Sequence, residues 1–361
     1  MKYLFILGRN PGLSIAEIKA YLHKEDNDII ESSMRRNGFL ADLENPLDAG
    51  TVDEFGGVIS IGIVVCELKD IERKEIYLGE KNKINYALWN FSDKTQDISE
   101  YLKKRFRKEK LKAVEKKLTG RMSLQEGGEI ENLVSNLIDE EYFVFENYFG
   151  KIIQKINFKE IEERDMKKPV RREALSISPR LAKIMINLSE VKEGETLTDG
   201  FCGIGVILQE ALLKKIKVIG IDKDKDAING AEKNLKWFGF SNSDFKLLKE
   251  DSSKIRIHEV KALVSEPDFG ETLRKIPAKE KAGLMINNFE NLIILVLNNM
   301  KKYVENKFVF SSPLIRIGKK RIGCDFQRIS EKTGLKLISG FPIPEFRENQ
   351  IVGREIAVMG K

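Results

Sequence analysis

Histidine and cysteine are scarce in this chain. His23 and His258 are the two histidines, and Cys66, Cys202 and Cys324 stand far apart in 361 residues. No disulfide framework, zinc spacing or histidine relay can be drawn from them, so no metal is expected. Long hydrophobic runs are missing too. The longest strongly apolar one, LIILVL at 292–297, is far too short to span a bilayer. Lys2 is followed by only five apolar residues before Gly8 and Arg9, so no signal peptide is expected. A soluble protein of a reducing, cytoplasmic compartment follows, with no membrane partner. Charge of one sign is also lacking: the net charge is +6, a modest bias. Charged residues make up 33% and hydrophobic ones 42%, which suits a globular chain, and its length predicts two or three domains.

What is present concentrates in TLTDGFCGIGVILQEALLKKIKVIGIDKD, residues 196–224. An apolar-leaning run ends in Asp199, a glycine loop follows, then a helical pattern, then a second apolar run ending in Asp222. That is the layout of a ligand-binding β-α-β unit. Gly203 and Gly205 let backbone approach a ligand where a side chain would block it. Gly200, Gly203 and Gly205 depart from the G-x-G-x-x-G dinucleotide spacing, and no phosphate-cradling loop ending in Lys-Ser/Thr exists. A glycine turn in an ordinary α/β protein reads the same way; the acid at the second strand end favours a site. An acid followed by G-x-x-G-x-G resembles motif I of S-adenosylmethionine-dependent methyltransferases. That cofactor has an α-amino group and a cationic sulfonium, which an acid at Asp199 suits. Asp222 is placed to grip a ribose diol. Phe201 and Cys202 belong to the same loop. Residues 225–238 read as an amphipathic helix stopped by Gly239. DFKLLKED then ends in Asp251, placed to meet an adenine amine, or to be a solvated surface acid.

The fourth strand, KALVSEPDFG at 261–270, carries the candidate chemistry. Amino-group methyltransferases have Asp/Asn-Pro-Pro-Tyr/Phe here, and this chain has Glu266-Pro267-Asp268-Phe269. An exocyclic ring amine is a poor nucleophile because its lone pair is conjugated into the ring. Acceptors on its hydrogens pull the nitrogen toward pyramidal geometry and free that lone pair. Glu266 and the Pro267 carbonyl supply two acceptors, Phe269 stacks on the base, and Asp268 is a second acceptor or takes the proton. Positioning lowers most of the remaining barrier.

With these motifs in place, the chain resembles the tRNA guanosine N2-methyltransferases that modify position 10, an archaeal and eukaryotic group with an N-terminal THUMP domain. The resemblance covers nearly the whole length. It rests on MKYLFILGRNPGLSIAEIKAYL, on the junction FGKIIQKINFKEIEERDMKKPVRREALSISPRLAKIMINLS, on DGFCGIGVILQEAL and on ENQIVGREIAVM. It implies tRNA as partner and S-adenosylmethionine as cofactor, held by Asp199, Phe201, Cys202, Gly203, Gly205, Asp222 and Asp251. The family reads Asp-Pro-Pro-Tyr-Gly at the catalytic strand, so Glu266, Asp268 and Phe269 are departures, as is Ile204 in motif I. Two other readings stay open: a non-catalytic RNA-binding protein on the same fold, and an N-methyltransferase for another RNA amino group.

Residues 101–121 hold ten basic residues against two acidic ones. They read as a helix with Leu102, Phe106, Leu111 and Val114 inside and a basic face outside. Lys103, Lys104, Arg105, Arg107 and Lys108 are its candidate phosphate contacts, joined by Arg171 and Arg172. A lysine-rich solvated helix is the plainer alternative. A smaller group, Arg316, Lys319, Lys320 and Arg321, is another candidate. Strands are expected at 3–7 and 58–68, a capping-box helix from Ser14 and Glu17, a helix over EIENLVSNLI, and a hairpin at 142–156 turning near Asn147. Ser178-Pro179 opens a further helix. The expected plan is an α/β chain. Residues 1–158 form an α+β RNA-binding half, ferredoxin-like and THUMP-like by resemblance. Residues 159–178 link it to a Rossmann-like, doubly wound methyltransferase domain over 179–361.

Overall fold

The computed structural model describes residues 1–118, 120–125, 129–132, 137–172 and 177–361. The chain divides into two units, Met1–Ile15 with Glu25–Ile156, and Ala16–Lys24 with Asn157–Lys361.

In the first unit, short apolar runs broken by turns give β1 (Lys2–Leu7), α1 (Pro11–Lys24, whose later residues belong to the second unit), β2 (Ile29–Arg35), β3 (Gly38–Leu43) and β4 (Val58–Glu67). Then come β5 (Lys83–Phe91), α2 (Thr95–Lys108), β6 (Lys112–Glu115), β7 (Gly120–Ser123), β8 (Glu129–Asn132), β9 (Glu140–Phe145) and β10 (Tyr148–Lys155). Eight strands form one sheet in the order β2-β3-β1-β4-β10-β9-β5-β6, and β7 pairs with β8 alone. The sheet is antiparallel except that β5 runs parallel to both β9 and β6. One side buries Tyr86, Tyr142 and Phe149 with Ile98, Leu102 and Phe106 of α2, and the other buries Trp89, Phe91, Phe143 and Phe145.

Three local expectations are corrected here. The basic helix ends at Lys108. Lys110 takes a positive φ of 59° and the chain turns into β6, so Val114 is 44% exposed rather than buried. Glu129–Asn132 is a strand, not the start of a helix, because it pairs in register with β7; residues 133–136 of that expected helix lie outside the described residues. The first helix begins at Pro11 under Asn10, whose Oδ1 accepts the Leu13 amide at 3.1 Å, so Ser14 lies inside it. The hairpin forms as expected, with β9 and β10 meeting at Glu146-Asn147. Gly150 sits there because a Cβ would overlap the Phe143 ring and the Ile63 carbonyl. Gly150→Ala should therefore cost about 2–3 kcal/mol by overpacking, read as a lower midpoint in thermal or urea unfolding.

The second unit runs α3 (Phe158–Lys167), α4 (Pro179–Leu188), β11 (Thr196–Asp199), α5 (Val206–Leu213), β12 (Lys217–Asp222), α6 (Lys225–Trp237), β13 (Phe245–Lys249) and β14 (Val260–Ser265). It continues with α7 (Lys279–Met300), β15 (Val304–Ile317), β16 (Lys320–Ile322), α8 (Phe326–Thr333), β17 (Lys336–Leu337), β18 (Ile343–Glu345) and β19 (Val352–Gly360). The charged stretch expected as linker thus contains α3, capped by Asn157 and tied by Arg164 to the fully buried Glu210 at 2.9 Å. Ser178 caps α4 with Pro179 in its first turn, as its sequence implies. The sheet order is β13-β12-β11-β14-β15-β19-β17, with β16 on β15 and β18 on β19. Strands β11 to β15 are parallel, whereas β19 is antiparallel to β15 and β17. The chain winds outward from β11 and then crosses back to β14, so a switch point falls between them. Open α/β sheets bind ligands there, beyond the strand carboxyl ends.

Candidate active site

Three strand ends meet at that switch point. Asp199 ends β11, Asp222 ends β12, and Glu266 directly follows β14. They line a cavity of about 560 Å³ together with the glycine loop and the Glu266–Leu273 segment.

Asp199 is 1% exposed. Its Oδ1 accepts the Ser265 hydroxyl at 2.6 Å and the Phe201 amide at 3.0 Å. Burial pushes its carboxyl up to about 7, against these hydrogen bonds and with a further push from Asp222 and Glu266. The loop beyond it turns on two glycines in the left-handed region, Gly203 at φ 52° and Gly205 at φ 86°. A Cβ on Gly203 would meet nothing within 4 Å, so the backbone there is open to a ligand. Gly205 stands behind the cavity wall, where a Cβ would come within 3.2 Å of Ala231 Cβ. Asp222 accepts the Gly203 amide on Oδ2 and the Asp224 amide on Oδ1, both at 2.9 Å, which fixes the carboxylate at the mouth of the loop. Burial holds the Cys202 thiol far above its ordinary range, so it is a packing group and not a nucleophile.

On the other side, Glu266 and Phe269 line the cavity half-buried, Pro267 is buried and Asp268 is exposed. Asp268 Oδ1 accepts the Gly270 amide at 2.9 Å, so this side chain shapes the turn. The Phe269 ring packs edge-on against Phe289 at 5.8 Å. Glu266 is paired with Arg354 of β19. Burial raises the Glu266 carboxyl and Arg354 pulls it back down.

Of the expected site residues, the structure gathers Asp199, Phe201, Cys202, Gly203, Asp222 and Glu266–Phe269 around one cavity. Gly205 and Asp251 are not in its lining. Asp251 holds the turn after β13, accepting the Ser253 amide and hydroxyl, and its other oxygen lies 3.2 Å from Lys223 Nζ. Arg172, expected on the RNA-facing surface, lines the cavity instead and donates to Asp224 at 2.8 Å. Arg171 is exposed and outside the lining. Sequence reasoning missed Arg354, Gln350, Ile351 and Val352 as wall residues. The segment before the domain is pinned to the loop: buried Asn234 accepts the Val170 amide at 2.9 Å and donates to the carbonyls of Val170, at 3.1 Å, and Ile204, at 3.0 Å.

A second groove, of about 870 Å³, lies in the first unit between α2 and β6, lined by Lys103, Arg107, Lys110, Lys112 and Lys117. Lys103 there faces Glu115 at 2.8 Å. Lys104 and Lys108 are exposed on α2, outside that lining. Arg105 is spent on the fold, bonding Glu109, the Tyr101 hydroxyl and the carbonyls of Glu72 and Lys74. Arg321 is likewise used on the carbonyls of Leu314, Arg347, Gln350 and Ile351, and stacks 4.1 Å over the Phe346 ring.

Among the described residues, no helix is long and apolar enough to cross a membrane. No group of three or more His, Cys, Asp or Glu among them could hold a metal ion.

Known proteins resemble this chain in sequence and fold. Residues 168–284 match the family described as RMKL-like, methyltransferase domain. Over 115 residues the chain is 38% identical to the tRNA (guanine(10)-N2)-dimethyltransferase of Methanothermobacter thermautotrophicus, which is 32% of this chain and 33% of that protein. The chain therefore spans about a third of that relative's length in the match. It is 24% identical over 338 residues to the Pyrococcus abyssi protein of the same name, covering 91% and 96% of the two chains. The crystal structure of TrmN from Thermus thermophilus aligns over 100% of both chains with a TM-score of 0.51 at 12% identity, a likeness of fold. Residues 168–284 thus match an RMKL-like methyltransferase domain, the second unit has a Rossmann-like fold, and the chain is similar to tRNA (guanine(10)-N2)-dimethyltransferases.

Proposed function

We propose that this chain is a cytoplasmic, S-adenosylmethionine-dependent RNA methyltransferase acting on the exocyclic N2 of guanine in tRNA, at position 10. One observation carries the reading: a buried carboxylate on β11 and an amine-accepting Glu-Pro-Asp-Phe segment after β14 share one cavity.

The residues fit the cofactor. Asp199 is a fully buried acid that burial drives toward neutrality, so a cationic ligand group is what would keep it ionised. The cofactor brings an α-ammonium for Asp199, a diol for Asp222 and no phosphate, in keeping with a loop that has no lysine. Phe201, Cys202, Gly203 and Gly205 shape the cradle, and Asp251 holds the neighbouring turn. When bound, the cofactor supplies a methyl group already activated by its sulfonium. This chain's own work is to position the amine. Glu266 and the Pro267 carbonyl accept its hydrogens, Phe269 stacks on the base, and Asp268 at the exposed mouth takes the released proton to water. The base has to leave its stack to reach them.

Residues 1–158, ferredoxin-like and THUMP-like in this reading, would hold the tRNA, with 159–178 leading into the catalytic domain at 179–361. The basic groove supports this, with Lys103, Lys104, Arg107 and Lys108 facing phosphates; Arg105 would act by keeping α2 in place. Labelled methyl transfer to bulk tRNA is the test, followed by nucleoside analysis. Wild-type protein should give N2-methylated guanosine. Glu266→Ala should cut turnover by roughly 100-fold, the scale of losing one positioned acceptor. Wild-type protein that binds cofactor and tRNA tightly yet transfers nothing would make this a non-catalytic RNA-binding protein.

A further inference from the structure

We infer that Arg354 is a positioning residue of the methyl-transfer site, anchoring one oxygen of Glu266 so that the other serves as the amine acceptor. The inference rests on the methyltransferase reading above.

Glutamate has one more methylene than the aspartate of related sites, and so one more torsion to fix. A carboxylate left to wander would lose the geometry that such chemistry needs. Arg354 removes that freedom. The strand register aligns Ser265 with Phe310, and Pro313 with Arg354, so the arginine reaches past β15 to the residue after β14. Its Nε donates to Glu266 Oε1. The pair is mostly out of water, with the Glu266 side chain 12% and Arg354 26% exposed, and both line the cavity. The guanidinium carbon also lies 6.0 Å from the centroid of the Phe269 ring, the ring proposed to stack on the base. One planar cation thus pairs with the acceptor and lies near the stacking platform, a task for which lysine lacks the fork.

The other charged groups lining the cavity with Glu266 are Asp199 from β11, Asp222 from β12, Asp268 and Glu271 from the following loop, and Arg172 from the segment before α4. Four of these five are acids, so Arg354 is the close counter-charge that keeps the carboxylate ionised. Its removal raises the Glu266 pKa, and a protonated Glu266 is a much poorer acceptor for its amine hydrogen. Activity is then lost at a higher pH on the acid side.

The test is the pH profile of kcat/KM on tRNA for wild type, Arg354→Met and Arg354→Lys. Arg354→Met should lower kcat by roughly tenfold to 100-fold with little change in KM for tRNA. Its acid limb should move up by about one pH unit. Arg354→Lys should restore the limb and only part of kcat. A carboxyl-carbon NMR titration of selectively labelled protein, assigned with Glu266→Gln, should show the Glu266 midpoint rising in Arg354→Met. An Arg354→Met enzyme with wild-type turnover overturns the inference. So does one that loses activity with its acid limb and Glu266 midpoint unmoved, since that is a merely structural role. Wild-type protein that methylates no RNA, with a Glu266 midpoint that still rises in Arg354→Met, sinks the methyltransferase reading and with it the positioning role.

Discussion

Asparagine in place of Asp199 should abolish useful cofactor binding and leave the fold at least as stable. The two bonds that Asp199 accepts, from Ser265 and Phe201, go to one oxygen, Oδ1. Asparagine keeps that oxygen, exchanges the other for an amide nitrogen and gives up the charge. The charge is costly without a ligand: burial raises the carboxyl from 3.8 to about 7. Between those values the folded protein holds a proton that the unfolded chain has released. Apo stability therefore falls as pH rises through this window and levels off above about 7. In Asp199→Asn that slope should vanish from thermal melts. Affinity runs the other way. The α-ammonium is attracted by the carboxylate, so S-adenosylmethionine should bind more weakly as pH falls below about 7, by up to tenfold per unit. Removing a buried counter-charge costs about 3–5 kcal/mol, so calorimetry on Asp199→Asn should find affinity down by at least roughly 100-fold. Tight, pH-independent binding by the variant would remove Asp199 from the site.

Asn234→Leu should damage fold and site together. Asn234 is 1% exposed and serves three backbone groups, the Val170 amide and the carbonyls of Val170 and Ile204. Leucine fills similar space and serves none of them. Each orphaned buried group costs about 1–3 kcal/mol, giving a loss of about 3–5 kcal/mol once some relaxation is allowed. Asn234→Asp is the sharper test, since it keeps the acceptor for Val170 N–H and loses the two donated bonds while burying a charge. Because Ile204 lines the cavity, cofactor affinity should fall with stability in both variants. Differential scanning calorimetry with and without cofactor reads both effects; an Asn234→Leu protein that melts and binds like wild type would contradict the assignment.

Much of the second unit was readable because its signals are local. Asp199, Gly203, Gly205 and Asp222 fall within 24 residues, and two of them need a left-handed φ that glycine alone adopts cheaply. Gly239 stops α6 for the same reason, at φ 88°. The errors came where distant partners decide. Nothing near Lys108 in the sequence signals the end of α2, since neither glycine nor proline stands there; parallel pairing with β5 draws residues 112–115 into the sheet. Arg105 looks like one more surface cation, yet four partners hold it. Asp251 has the right residue type at a strand end, but its nearest hydrogen bonds, to Ser253, are better served by the turn than by the cavity. Arg354 had no readable link to Glu266, because no periodicity spans the distance between them.

That distance sets a clock. Glu266 and Arg354 are 88 residues apart along the chain. A ribosome adding about 5–20 residues per second takes roughly 4–18 s to travel from one to the other. During that time β14 can settle beside β11, but the carboxylate beyond its end lacks its Arg354 partner. It stays in water, or it is buried carrying a proton, until β19 slots in against β15. The same strand that completes the sheet therefore brings Glu266 its counter-charge, so the emerging second unit gains its glycine loop early and its paired carboxylate last.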